Sequence, residues 1–297
     1  MTRNGSAKTR RTKAVATAAI PLGLLFLVFT SGEVRAQTFA VQSSHRPPAV
    51  VAVEHYNRGV ELSSLARHEE AIRAFREAIL TYPGMGEAHV NLGVELAKLD
   101  RWAEALDALR RAVRVSPRLG VAHHNLGVAL AQAGHLKDAV RALHRAATLL
   151  PFDGTVRRAL ADTHFNLGVW YERQRLFSSA IDQYRRSLDF NGASADAYAA
   201  LGVAFFRLGR HDEAITMYGE ALRLRPSFVV ARYNLAVVFA HGGRIADALD
   251  ACRSALAERP DLHQARALMD ELLGHGRAIR RAGLQLGPIE SEAVPLR

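Results

Sequence analysis

The chain has 297 residues, 49% of them apolar and 23% charged, the balance of a folded protein rather than a disordered one. Its net charge of +10 is concentrated at the N-terminus: residues 1–36 carry six basic side chains and one acid, and the remainder holds 33 basic against 28 acidic residues, a surplus of +5 that does not point to nucleic acid. The one cysteine, Cys252, excludes an intramolecular disulfide.

Residues 3–13 are basic, residues 14–29 are uncharged and nearly all apolar, and Val34-Arg35-Ala36 forms a small-x-small site. This is the tripartite layout of a secretory signal peptide. The expected cut follows Ala36 and leaves 261 residues, exported to the periplasm or secreted, with no stable membrane span. A retained N-terminal anchor is the alternative, although the run of 16 residues is short of the roughly 20 that span a bilayer. Residues 37–51, with Ser43, Ser44, Pro47 and Pro48, read as a linker, because proline lacks the N–H that helix or sheet pairing requires.

From residue 52 onward the chain repeats itself. Gly59, Gly93 and Gly127 are spaced by 34 residues, Gly168 follows after 41, and Gly202 and Ala236 return to 34. Three residues after each anchor stands a large apolar side chain: Leu62, Leu96, Leu130, Tyr171, Phe205 and Phe239. Twelve after it stands Ala71, Ala105, Ala139, Ala180, Ala214 or Ala248. Proline stands 24 after it in every unit but the fourth, which has Gly192. Each class has a mechanical role. The small anchor lets two helices approach, the large residue shares its helix face, the alanine marks the crossing, and the proline ends the second helix. Each unit is therefore an antiparallel helix pair whose apolar faces are covered only by stacking. Units one to three occupy 52–153 and units four to six 161–262. Between them lies a seven-residue insertion, 154–160, which reads either as a helix extension that leaves the buried face unrotated or as a surface loop. Residues 263–274 give one more amphipathic helix, stopped by Gly274, as the closing cap, and 275–297 read as a flexible tail.

This slot pattern resembles the tetratricopeptide repeat (TPR) family, and the Ala-His-x-Asn-Leu-Gly wording at 88–93 and 122–127 is similar to the repeats of O-linked N-acetylglucosamine transferases, whose catalytic domain has no counterpart here. The resemblance implies an all-α fold, a right-handed solenoid of six units plus the cap, with the first helices of successive units lining a concave face. Two residues before the anchor stand Asn57, Asn91, Asn125, Asn166 and Asn234, with Ala200 in unit five. Asparagine is a poor residue for a helix interior, and its amide suits either the backbone of an extended peptide or a bond to a neighbouring repeat. In the resembling transferases such a ladder is understood to hold peptide. One residue after the anchor stands valine, including Val94, Val128 and Val169, which either packs helix on helix or floors the groove. Tyr56, Phe165 and Tyr233 add aromatic residues of the kind common at binding sites.

These eleven residues are the expected peptide-binding set, and the expected partner is a protein or peptide. No catalytic residues, metal or cofactor are expected, because no catalytic signature or converging ligand set is present. The function expected is that of an exported scaffold, with a non-catalytic subunit of an envelope enzyme or secretion complex as the alternative.

Overall fold

The structure is a computed structural model that describes residues 47–275 and Pro288. The signal peptide read at 1–36, the linker up to residue 46 and, Pro288 apart, the tail beyond 275 lie outside the described residues. Thirteen α-helices follow one another without a strand among the described residues. The six units are α1 (Pro48–Ser64) with α2 (His68–Thr81), α3 (Gly86–Lys98) with α4 (Trp102–Val115), α5 (Gly120–Gln132) with α6 (Leu136–Leu149), α7 (Gly154–Arg173) with α8 (Phe177–Phe190), α9 (Ala195–Arg207) with α10 (His211–Leu224), and α11 (Val229–His241) with α12 (Ile245–Glu258). The array closes with α13 (His263–Asp270), which buries Ala265 and Leu268 and runs into a short π-helical turn to His275, where Gly274 takes φ +84°. The first helix begins at Pro48, inside the stretch read as linker. Proline suits that position, where its missing N–H has no intrahelical partner to lose.

The recurring slots do what their chemistry implies. A Cβ on Gly93 would lie 2.6 Å from Leu109, one on Gly127 would lie 2.6 Å from Leu143, and one on Gly202 would lie 2.6 Å from Tyr218. In unit six the anchor is Ala236, and the residue in the facing slot is the smaller Cys252, itself fully buried. All six crossing alanines, from Ala71 to Ala248, are fully buried.

The turn inside each unit is a Schellman motif. The N–H groups of Arg67, Arg101, His135, Leu176, Arg210 and Arg244 reach back to the carbonyls of the six large apolar residues at 2.8–3.0 Å. The residue just before each donor sits in the left-handed region: Ala66, Asp100, Gly134, Arg175, Gly209 and Gly243. Only three of these are glycine, so the period is hidden from a reading that looks for glycine at a C-terminal stop.

The seven additional residues are part of α7, which is 20 residues long. They bury Val156 and Leu160 against Leu143 and Ala146 of α6. Asp153 caps the new N-terminus by accepting from the Thr155 N–H at 2.7 Å. Arg157, on the new turns, donates to the carbonyls of Phe190 at 2.7 Å and Asp189 at 3.4 Å. The extension thus satisfies the end of α8, the second helix that no proline follows.

First helices of successive units touch one another from α1 to α11, whereas the second helices stand further apart. The first helices therefore form the inner, concave side.

Candidate concave binding face

The Asn and Val rows lie on the first helices, three residues apart and so on one face. They divide at the middle of the array. In the first half the rows are open: Asn57 is exposed, Asn91, Asn125, Val94 and Val128 are half-buried, and Val60 is 38% exposed. In the second half they are closed. Asn166 is half-buried, but Phe165, Val169, Tyr233 and Asn234 are buried, as are Ala200, Val203 and Val237. Four of the eleven expected contacts, Phe165, Val169, Tyr233 and Asn234, are thus enclosed by neighbouring side chains. Phe165 and Val169 belong to a core with Ile181 and Tyr184, and Tyr233 belongs to one with Val229, Cys252 and Leu268. Tyr218 on α10 is fully buried, and that burial strongly raises the pKa of its hydroxyl.

The amides differ in what they hold. Asn91 donates to the Tyr56 hydroxyl of the preceding unit at 3.1 Å, and Asn125 donates to the Val121 carbonyl of its own helix at 3.0 Å. Asn166 and Asn234 are both already engaged. Tyr56, half-buried, has its pKa raised by that burial, with the bond from Asn91 opposing it. For Asn91 the bond to a neighbouring repeat is real, and it leaves the amide oxygen and one N–H for a ligand.

Three features escaped the slot reading. The first is the residue four before the anchor. His89 meets the Pro83 carbonyl and His123 the Pro117 carbonyl, each at 3.0 Å, and Arg232 donates to the Pro226 carbonyl. Arg266 repeats this with the Pro260 carbonyl at 2.8 Å, so α13 is built as the first helix of a seventh unit. A polar residue there whose partner is the preceding proline carbonyl was the available signal.

The second is Glu95, whose side chain is only 3% exposed. It accepts from Ser63 Oγ at 2.6 Å and Lys98 Nζ at 2.7 Å, and lies 2.7 Å from His68 Nδ1. Burial alone would raise its pKa, but hydrogen bonds from Lys98, Ser63 and His68 outweigh it and hold the carboxyl below its usual range. It ties unit two to the turn of unit one. The third is Trp170, 43% exposed, with Lys137 Nζ 5.5 Å from its ring centroid. Together with Leu136 and Leu167 they line a cleft of about 270 Å³ where unit four meets the turn of unit three.

Cys252 is buried, which pushes its thiol up to about 11 and makes it a core residue. No group of three or more His, Cys, Asp or Glu converges among the described residues. No helix among them is long and apolar enough to cross a membrane.

Sequence profiles described as tetratricopeptide repeats match residues 56–119, 171–227 and 199–263, and a second such profile matches 120–145. A search of curated protein sequences finds no match. Among solved structures, the C-terminal part of a TPR repeat-containing protein from Cytophaga hutchinsonii is similar at 13% identity and a TM-score of 0.58, over 78% of this chain and 91% of that one. YrrB, described as a TPR protein with an unusual peptide-binding site, is 19% identical with a TM-score of 0.49, over 65% of this chain and 95% of its own. A MamA structure is 20% identical with a TM-score of 0.47, over 59% of this chain and 92% of its own.

Proposed function

The chain belongs to the tetratricopeptide repeat family, matched over more than half of its length, and from that premise we propose that it is an exported scaffold holding an extended peptide or a segment of a partner protein on its concave face. The fold generally serves as a non-catalytic platform for protein interaction. The observation that carries the reading is the open half of the stripe, where Asn57, Asn91 and Asn125 stand with Val60, Val94 and Val128 on the inner face of three consecutive units. Amides next to small apolar floors suit a main chain, since they bond its N–H and C=O groups and leave its side chains to the valines. Export rests on the N-terminal signal, and the mature chain is expected to begin at Gln37 when its terminus is sequenced.

The test is a pull-down from the exported fraction with the wild-type chain and with an Asn57→Ala, Asn91→Ala, Asn125→Ala variant of matched helicity. The variant is expected to lose a partner that the wild type retains. Equal capture by both would sink the groove reading.

A further inference from the structure

Short loops join α2 to α3, α4 to α5 and α6 to α7, at residues 82–85, 116–119 and 150–153. Each leads from a second helix to the next first helix, so all three lie along one edge of the array. That edge carries apolar side chains with little cover. Phe152, in the third loop, is 100% exposed, and Leu80, in the last turn of α2, is 84% exposed. Tyr82, Val115 and Val121 beside them are exposed as well. Exposed apolar residues gathered in this way mark an interaction surface. The aromatic residues at the corresponding places further on are put to internal use. Phe190 stacks on the His164 ring with centroids 5.8 Å apart, and Phe228 lies 4.4 Å from the Arg225 guanidinium.

Charge separates the two stretches in the same way. Arg114, Arg118 and Arg158 are exposed on the first three loops and the helix ends that flank them. No acid stands between Asp107 and Asp138 in the sequence. The acids nearest the other two loops are Glu87, which is exposed, and Asp153, which is taken up in capping α7. At the later loops the charges are balanced: Asp189 and Asp196 stand at the fourth, and Arg225 of the fifth is paired with Asp196 at 2.7 Å.

We propose that the loop edge of units one to three rests on the surface of a lipid bilayer rich in anionic headgroups. Phe152 and Leu80 enter the boundary between headgroups and acyl chains, a depth of about 5–10 Å for side chains of this kind. Arg114, Arg118 and Arg158 meet the lipid phosphates, which a guanidinium can hold through two hydrogen bonds. Charge complementarity selects this occupant, because the apolar tips are flanked by arginines that the chain itself leaves without carboxylates. Shape selects it too. The side chains stand on three separate loops along an outer edge, and a protein partner would have to offer each a matching pocket, whereas a bilayer receives them without one. The proposal does not depend on a ligand in the concave groove.

The test uses the full chain, whose single native cysteine is buried and resists labelling. An environment-sensitive dye is attached through Phe152→Cys on the loop edge or through Leu208→Cys on the opposite edge, where the turns within units lie. Each labelled chain is mixed with vesicles of phosphatidylglycerol and phosphatidylcholine in equal parts, or of phosphatidylcholine alone, carrying brominated acyl chains as quenchers. The expected result is quenching of the dye at 152 on anionic vesicles and none of the dye at 208. Replacing the anionic lipid, or introducing Arg114→Glu and Arg118→Glu, should weaken the apparent affinity at least about tenfold, since each basic residue near an anionic surface contributes to attraction. Both arginines are exposed, and unchanged helicity of the double variant confirms that it folds. Quenching at 152 and 208 alike, or equal affinity for both vesicle types, would overturn the proposal. So would an undiminished response of the double variant. A dye at 152 that no vesicle quenches would also overturn it and would leave the edge to a protein partner. Reading the position of the dye rather than sedimentation keeps binding through the apolar run at 14–29 from counting in its favour, because such binding has no need of Arg114 or Arg118.

Discussion

At the scale of single residues, the structure separates those that space helices from those that tie units together. The anchor glycines space: Gly93→Ala drives a methyl into Leu109, a contact of 2.6 Å that the neighbour must relieve. Overpacking of that kind costs about 1–3 kcal/mol, to be read as a lowered urea midpoint. The left-handed turn residues show an uncorrected cost. Ala66 at φ 56° and Arg175 at φ 60° stand where Gly134 and Gly209 stand in other units, and an L side chain there costs about 1–2 kcal/mol. Ala66→Gly and Arg175→Gly are each expected to raise stability by roughly 0.5–1 kcal/mol once the greater freedom of unfolded glycine is deducted. Glu95 ties. Its folded pKa is depressed, so its contribution is present above the unfolded value near 4.5 and is lost as pH falls below that toward the folded pKa. Glu95→Gln should cost about 1–3 kcal/mol at neutral pH, and the gap from wild type should narrow in urea titrations carried out below pH 4.

At the scale of elements, the heptad is the departure from regularity, and α7 shows what it does. By adding seven residues it lengthens a helix without turning its buried face, which places Val156 and Leu160 on α6 and brings Arg157 over the end of α8. Arg157→Ala should cost about 1 kcal/mol through the uncapped carbonyls and should raise hydrogen exchange chiefly at Asp189–Asn191. The sequence made the helix pairs and the packing alanines legible because each slot is repeated six times with one chemical purpose, whereas the start of α1 at Pro48 fell inside the stretch read as linker. The turn conformation was not legible, since alanine, aspartate and arginine hold it beside glycine. The donor to the preceding proline carbonyl was missed because histidine and arginine share N–H donor capacity, but the acceptor, a backbone carbonyl six residues earlier, carries no signal in the sequence. The stripe was found as a row, but its division into an open and a closed half was not. Periodicity gives the same face to Val94 and Val203, and only the fold shows that one is open and the other is covered.

At the scale of the whole molecule, histidines give the array a direction of pH response. His89, His124 and His164 each have their pKa lowered, in each case first by burial, and each keeps a buried ring nitrogen without a partner. A depressed folded pKa means that the unfolded chain takes up protons first, so stability should fall as pH drops below about 6.5. Urea midpoints between pH 7.5 and 5.5 check this, and a flat profile would mean that these rings accept protons without cost. The central claim is that ligand is held on the inner face of the first three units. It is tested most directly by placing a photo-crosslinking residue in living cells at Val60, Val94 or Val128 on that face, and at Arg76, Arg110 or Arg145 on the second helices. The account predicts discrete adducts from the inner positions and none from the outer ones, and adducts confined to the outer positions would contradict it.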